Sequence, residues 1–287
     1  MTSLNIKSFV KRFALGSKVR GSRALTISIA LLAIILFFGL TIALLTNKEP
    51  LRTGYTAGLT APNSEYPMGT DQLGRDIFSW TLHGIRTALY VSIISTSLTV
   101  VIAVLVGLPA GYFGGKFDQI LMRITDFFLS IPRFILIIFA VIIFSPSISN
   151  IILILSAFSW PSIARIVRAE VLSTKEREYV QAAKVIGSNS IDIMFSEILP
   201  NVIPPMLVAS ALQMSDAILA EAGLSFLGLG DPNVPSWGRM LAIARQAIYV
   251  GGWWTLLFPS IFITATVLAI NLLADGLNDV LNPKSVR

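Results

Sequence analysis

Ser173-Thr-Lys-Glu-Arg-Glu-Tyr-Val-Gln-Ala-Ala-Lys-Val-Ile-Gly187, followed by Ser188-Asn-Ser-Ile-Asp-Ile-Met-Phe-Ser-Glu-Ile-Leu-Pro-Asn201, is a soluble stretch set between two long apolar runs. Ser173 with Glu176 three residues on has the form of a capping box, so the pattern predicts a helix that starts there. Gly187 is placed to end it at C′. Tyr179, Val180, Ala183 and Ile186 recur at spacings of three and four, which predicts one shared face. The paired Ala182 and Ala183 let another surface approach closely. A second short helix follows and is expected to break at Pro200. A plain connecting loop needs none of these devices; a helical hairpin that docks on something does.

Outward from this stretch the chain is mostly apolar. Hydrophobic residues make up 54% and charged ones 13%, a balance foreign to a soluble 287-residue domain and normal for a polytopic membrane protein. The uncharged run Ala24 to Leu45 is 22 residues long, enough to cross about 30 Å of hydrocarbon. A cleavable leader has a shorter apolar core, about 7–15 residues, so a retained span is expected. Thr87 to Gly115 gives a second span. Phe134 to Ala164 also lacks charge, but Ser145-Pro-Ser-Ile-Ser-Asn150 interrupts it. Its 31 residues are too many for one helix and too few for two of about 20. The third span is therefore expected to begin near Gln119, with Arg123 and Asp126 paired at i,i+3 in its first turns. The fourth covers Ile148 to Val167, the fifth Val202 to Ala222 and the sixth Trp253 to Ala274. Trp253 and Trp254 suit an interfacial aromatic belt.

Six spans place both termini on one side. With that side inside, 16 basic residues are inside and 6 outside, which predicts an N-in, C-in, multi-pass protein of the cell membrane. The net charge of +6 is then a topology signal, and nucleic acid is no expected partner. The expected divisions are a basic cytoplasmic tail at 1–23, a first helix at 24–46 and an extracytoplasmic segment at 47–85. A five-helix core at 86–280 contains the loop 173–201, and a short cytoplasmic tail follows at 281–287. The chain has no cysteine and one histidine, His83, so no histidine or thiolate metal cluster is expected within it. Gly114-Gly115-Lys116 lacks the glycine spacing and the hydroxyl of a phosphate-binding loop, and no nucleophile–base pairing stands out.

The Ser173–Asn201 stretch resembles the coupling loop, or EAA loop, of permease subunits in bacterial and archaeal ABC importers. The usual first residue there is Glu; here it is Gln181, with Glu178 one turn earlier, and Glu197 stands where many importers carry an apolar residue. Further stretches extend the resemblance. They are Met68-Gly-Thr-Asp-Gln-Leu-Gly-Arg-Asp76, Asp118-Gln-Ile-Leu-Met-Arg-Ile-Thr-Asp126 with Ser130-Ile-Pro132, and Ala164-Arg-Ile-Val-Arg-Ala-Glu-Val-Leu-Ser173. Glu221-Ala-Gly-Leu-Ser-Phe-Leu-Gly-Leu-Gly230, Pro235-Ser-Trp-Gly-Arg-Met-Leu241 and Asn271-Leu-Leu-Ala-Asp-Gly-Leu-Asn-Asp279 complete the set. In that order around six spans, they resemble the second permease of the dipeptide, oligopeptide and nickel importer group.

The resemblance implies an all-α membrane protein with six transmembrane helices of the type I ABC importer permease fold and a cytoplasmic coupling-helix hairpin. It implies a non-catalytic subunit that pairs with a second, homologous permease and lines half of a translocation path. Two ABC ATPase subunits would take up the coupling loops and bind ATP and magnesium, so this chain carries no cofactor. An extracytoplasmic binding protein would deliver the substrate, and ATP-driven closure would rock the bundle in its lipid surroundings. On that basis Glu178, Tyr179, Gln181, Ala182, Ala183 and Gly187 are the expected ATPase-coupling residues. Peptides are the first expected substrate, with oligosaccharides and nickel chelates behind them.

Other residues admit two readings. Asp71, Gly74, Arg75 and Asp76 form a charged turn before the amphipathic Ile77 to Leu89, either an outer docking ledge or a capped surface helix. Met214, Asp216 and Glu221 sit in the outer half of the fifth span. They either line the path or outer gate, or the two acids pair with Arg239 or Arg245 as a clamp. Asp275 and Asp279 are expected to pair with Arg165 or Arg168. A self-sufficient secondary carrier is the alternative of a different class. Such carriers show internal repeats, which this chain lacks, and need no capped soluble hairpin.

Overall fold

The computed structural model describes residues 23–281; the basic tail before Arg23 and the expected C-terminal tail beyond Leu281 lie outside the described residues. The elements are α1 (Arg23–Leu40), α2 (Ile42–Leu45), α3 (Ile77–Phe113), α4 (Gly115–Ser130), α5 (Arg133–Phe144) and α6 (Ile148–Thr174). Then come α7 (Glu178–Val185), α8 (Ser190–Asp192), a π turn (Ile193–Ile198), α9 (Leu199–Phe226), α10 (Trp237–Ile248) and α11 (Trp254–Leu281). Among the described residues, five helices are long and apolar enough to cross a membrane, and a sixth span is counted if α4 and α5 together make one. The all-helical, six-span expectation therefore holds in number.

The third span, expected to begin near Gln119, is two helices joined at a sharp break. At Ser130-Ile131-Pro132 the chain bends by 84° between α4 and α5. Proline disfavours helical geometry in the residue before it, and Ile131 is extended, at φ −104° and ψ 135°. The 12 residues of α5 rise only about 18 Å, so α5 alone does not cross. Meanwhile α4 runs across α6: Arg168 grips Asp118 through Nε–Oδ1 and Nη2–Oδ2, both 2.5 Å, and Arg165 pairs with Asp126. Asp126 thus takes Arg165 as its partner, in place of the expected Arg123. Arg165 and Arg168, the partners expected for Asp275 and Asp279, are engaged by Asp126 and Asp118 of α4.

The longest packed seam joins α3 to α6. Gly107 and Gly111, one turn apart on α3, sit against Ala164, Val167, Arg168 and Val171 of α6. Small residues at this spacing bring two helix backbones together and let van der Waals packing hold them where water supplies no driving force. Around the seam, Leu108, Ile163, Ala164, Val167 and Val171 form a core with Val180, Ile193, Ile198 and Val202 of the later segment. α9 packs against α3, α6, α10 and α11 and is the central helix. The expected surface helix Ile77–Leu89 and the span from Thr87 are a single 37-residue helix, α3.

The end of the bundle opposite the α7 hairpin is closed by the 47–76 segment. Asp71 and Arg75 are both buried there. Nε donates to Oδ2 at 2.7 Å, Nη2 lies 2.6 Å from the same oxygen, and the guanidinium covers the Trp80 ring at 4.3 Å. Asp76 caps α3 by accepting from the Ser79 amide at 3.0 Å; burial nonetheless pushes its carboxyl above the usual carboxylate range. Trp254 Nε1 donates to the Thr70 carbonyl, which ties the segment to α11, and Trp237 Nε1 donates to that of Thr81, which ties α10 to the first turns of α3.

Candidate functional site: the hairpin and the central helix

The hairpin is built from the C-terminal end of α6. That helix continues through Ser173 to Thr174, and Lys175 N–H still bonds the Val171 carbonyl. Ser173 and Glu176 therefore form no capping box. A turn at 175–177 follows, and α7 begins at Glu178 behind Arg177, whose side chain makes no cap bond. At the other end the sequence reading holds. Gly187 has φ +82°, its N–H reaches the Lys184 carbonyl at 3.1 Å, and Ser188 N–H reaches that of Ala183 at 3.0 Å. This is a Schellman ending, in which the positive φ favours glycine.

The expected shared face splits. Val180 and Ala183 are buried against Ile193, Met194 and Ile198, whereas Tyr179 and Ile186 are exposed. Eight residues make barely two turns, so α7 buries one narrow stripe and offers the rest. Glu178, Ala182 and Gly187 share the open side, and Gln181 is half-buried, its Nε2 donating to the Lys175 carbonyl at 2.8 Å. Val185 and Ile186, 87% and 81% exposed, are the most open apolar residues of the hairpin. Val185 is absent from the sequence-based set; its signal is an apolar pair just ahead of a stop glycine, outside any span.

Pro200 does not break the following helix. Asn189 caps α8, accepting from the Ile191 amide at 3.2 Å, and the chain runs helically from Ser190 to Phe226. Proline is tolerated in the first turn of a helix, and the π turn ahead of α9 accommodates the missing donor.

The three residues singled out on the fifth span have different surroundings. Met214 is half-buried and packs on the core shared by α3, α10 and α11. Glu221 is buried, and Ser225 Oγ donates to its Oε1 at 2.7 Å. Asp216 is exposed, and its partner is neither Arg239 nor Arg245. It is Arg133, whose Nη2 lies 3.3 Å from Asp216 Oδ2 and whose Nη1 donates to Gln213 Oε1 at 3.3 Å. Arg239 instead donates to the Pro232 carbonyl.

Residues 103–287 match the family described as binding-protein-dependent transport system inner membrane component. The chain is 38% identical over 241 residues to the dipeptide transport system permease protein DppC of Bacillus subtilis, across 84% of this chain and 75% of that one. It is 37% identical over 263 residues to a putative peptide transport system permease protein of Brucella suis, across 91% and 88%. It is 38% identical over 227 residues to the di/tripeptide transport system permease protein DppC of Pseudomonas aeruginosa, across 79% and 75%. The matched region takes in the α6–α7 hairpin, the central helix and the last span, and the chain belongs to the permease family of binding-protein-dependent ABC importers.

Proposed function

We propose that this chain is one permease subunit of a peptide importer, pairs with a second permease, and is driven by two ABC ATPases that bind ATP and magnesium. A binding protein on the opposite side delivers the substrate. The peptide class comes from the relatives named for dipeptide and peptide transport. The observation that carries the coupling role is the hairpin. A capped helix projects beyond the apolar spans and shows Tyr179, Val185 and Ile186 to the outside while Val180 and Ala183 anchor it beneath. Exposed apolar residues on so small an element mark a docking surface. Glu178, Tyr179, Gln181, Ala182, Ala183 and Gly187 are the coupling residues of this reading, with Val185 and Ile186 added at the tip.

In this reading the hairpin faces the cytoplasm, both termini are inside, and Asp216 belongs to the path between the two permeases. Gly187→Val tests the coupling. A Cβ there meets no atom within 4 Å, so the substitution strains the backbone without a clash. A left-handed residue other than glycine costs about 1–2 kcal/mol. Substrate-stimulated ATP hydrolysis by the assembled importer falls while membrane insertion and subunit yield persist. Wild-type stimulation in Gly187→Val removes the coupling role of this turn.

A further inference from the structure

Arg133 opens α5, and helix rise places it about 16 Å from the far end of that helix at Phe144. Asp216 lies about 15 Å from the far end of α9 at Phe226. The two far ends are held near one level, because the Ile148 amide at the start of α6 donates to Asp231 Oδ2, just past the α9 turn, at 3.1 Å. Both charges therefore sit about 15 Å in from that end of the bundle, about half the thickness of a 30 Å hydrocarbon layer. A straight third span puts Arg133 among the residues at the hairpin side; the bend at Ile131-Pro132 lifts it into the bundle. Removing it from the count leaves the inside excess of basic residues in place.

The pair is open to one side. Within this chain the Arg133 side chain is 35% exposed and that of Asp216 56%. α9 is packed by four helices, and its exposed stripe is Leu212, Asp216, Leu219 and Phe226. A charge left facing lipid at this depth costs about 2.5–3.5 kcal/mol, so the stripe faces protein or a water-filled path. Gln213, on the inner side, is 5% exposed and holds the other arm of the guanidinium. Arg133 is thereby steered by a buried amide, and its charge is balanced by an exposed carboxylate that another anion can replace.

We propose that Arg133 and Asp216 form a mid-membrane contact point for the charged ends of a zwitterionic substrate. The substrate's carboxylate displaces Asp216 from Arg133, and its ammonium group satisfies the released Asp216. The exchange leaves no buried charge unpaired, which is why a substrate with both free ends passes and one with a blocked end is held up. This rests on the peptide-importer reading.

The test uses the complete importer in proteoliposomes, with dialanine and dialanine amide as probes. The binding protein is the same throughout, so the ratio of the two kcat/KM values, compared between variants, isolates the permease. Arg133→Gln is expected to shrink that ratio at least threefold, while Arg133→Lys keeps it within twofold, with melting temperature and subunit yield unchanged for both. Asp216→Cys, in an otherwise cysteine-free subunit, is expected to react with an impermeant thiol reagent from water and to be protected by dialanine. An unchanged ratio in Arg133→Gln overturns the proposal, as does an Asp216→Cys thiol that never reacts in any nucleotide state. An importer that moves no dialanine as wild type, yet labels in the Asp216→Cys variant, removes both the peptide reading and the substrate class drawn from it, and retains only a polar path at this pair.

Discussion

Adding a single methyl group at Gly107 should loosen the whole bundle. A Cβ built there falls 2.5 Å from the Ala164 carbonyl oxygen and 2.9 Å from Val167 Cβ. One at Gly111 falls 2.7 Å from Val171 Cβ and 3.0 Å from the Arg168 carbonyl oxygen. Neither a carbonyl oxygen nor a Cβ can rotate aside, so α3 and α6 have to separate. Restoring ordinary contact at Gly107→Ala needs roughly 0.7 Å, and a gap of that size forfeits about a quarter to a half of the dispersion at each pair of atoms across the seam. Overpacking of this kind costs about 1–3 kcal/mol. Tryptophan-fluorescence melting of the purified importer reads it, at about 2–4 °C per kcal/mol. Gly107→Ala should cost more than Gly111→Ala, because its nearest obstacle is closer and is backbone. The double variant should cost less than the sum, since one separation relieves both contacts. A Gly107→Ala importer that melts within about a degree of wild type refutes the seam as the place where these helices are held, and full additivity refutes the shared separation.

Asp71→Ala leaves the Arg75 guanidinium buried beside Trp80 without its carboxylate. Breaking a buried pair this way costs about 3–5 kcal/mol, so the 47–76 segment should become a site of limited proteolysis before the spans unfold, and a protease-resistant variant counts against the lock. An impermeant thiol reagent applied outside whole cells should label Ser64→Cys and spare Ser188→Cys; the reverse pattern overturns the N-in topology.

Runs of uncharged residues reveal the spans because the solvent for those helices is lipid and any charge is costly. Gly187 is legible because a left-handed turn leaves glycine as the natural choice. Direction is not. The apolar run around Ser130-Ile-Pro132 carries the same hydropathy straight or bent, and only the packing of α4 across α6, through Asp118–Arg168 and Asp126–Arg165, shows the bend. With the bend unseen, Arg133 falls on the hairpin side, and its partner Asp216 lies 83 positions away, beyond the reach of any local pattern. Ser173 and Glu176 have the spacing of a cap, but α6 keeps its hydrogen-bond ladder running past Ser173. Pro200 looks like a breaker because proline disrupts a helix interior, whereas here it falls in the first turn of α9, where its missing donor is tolerated.

The run from Ser190 to Phe226 is about 55 Å of nearly continuous helix, with its irregularities gathered near one end. A π turn occupies Ile193–Ile198, and Pro200, Pro204 and Pro205 remove three donors from the ladder just after it. Beyond Pro205 no further proline interrupts the helix to Phe226. In the proposed coupling, a rod so made has the mechanics of a shaft with a universal joint near its driven end. Tilt applied at the hairpin is absorbed where rungs are missing, and push and twist travel along the unbroken remainder. Asp216 rides on that remainder, so in that reading what reaches it from the hairpin is rotation and thrust.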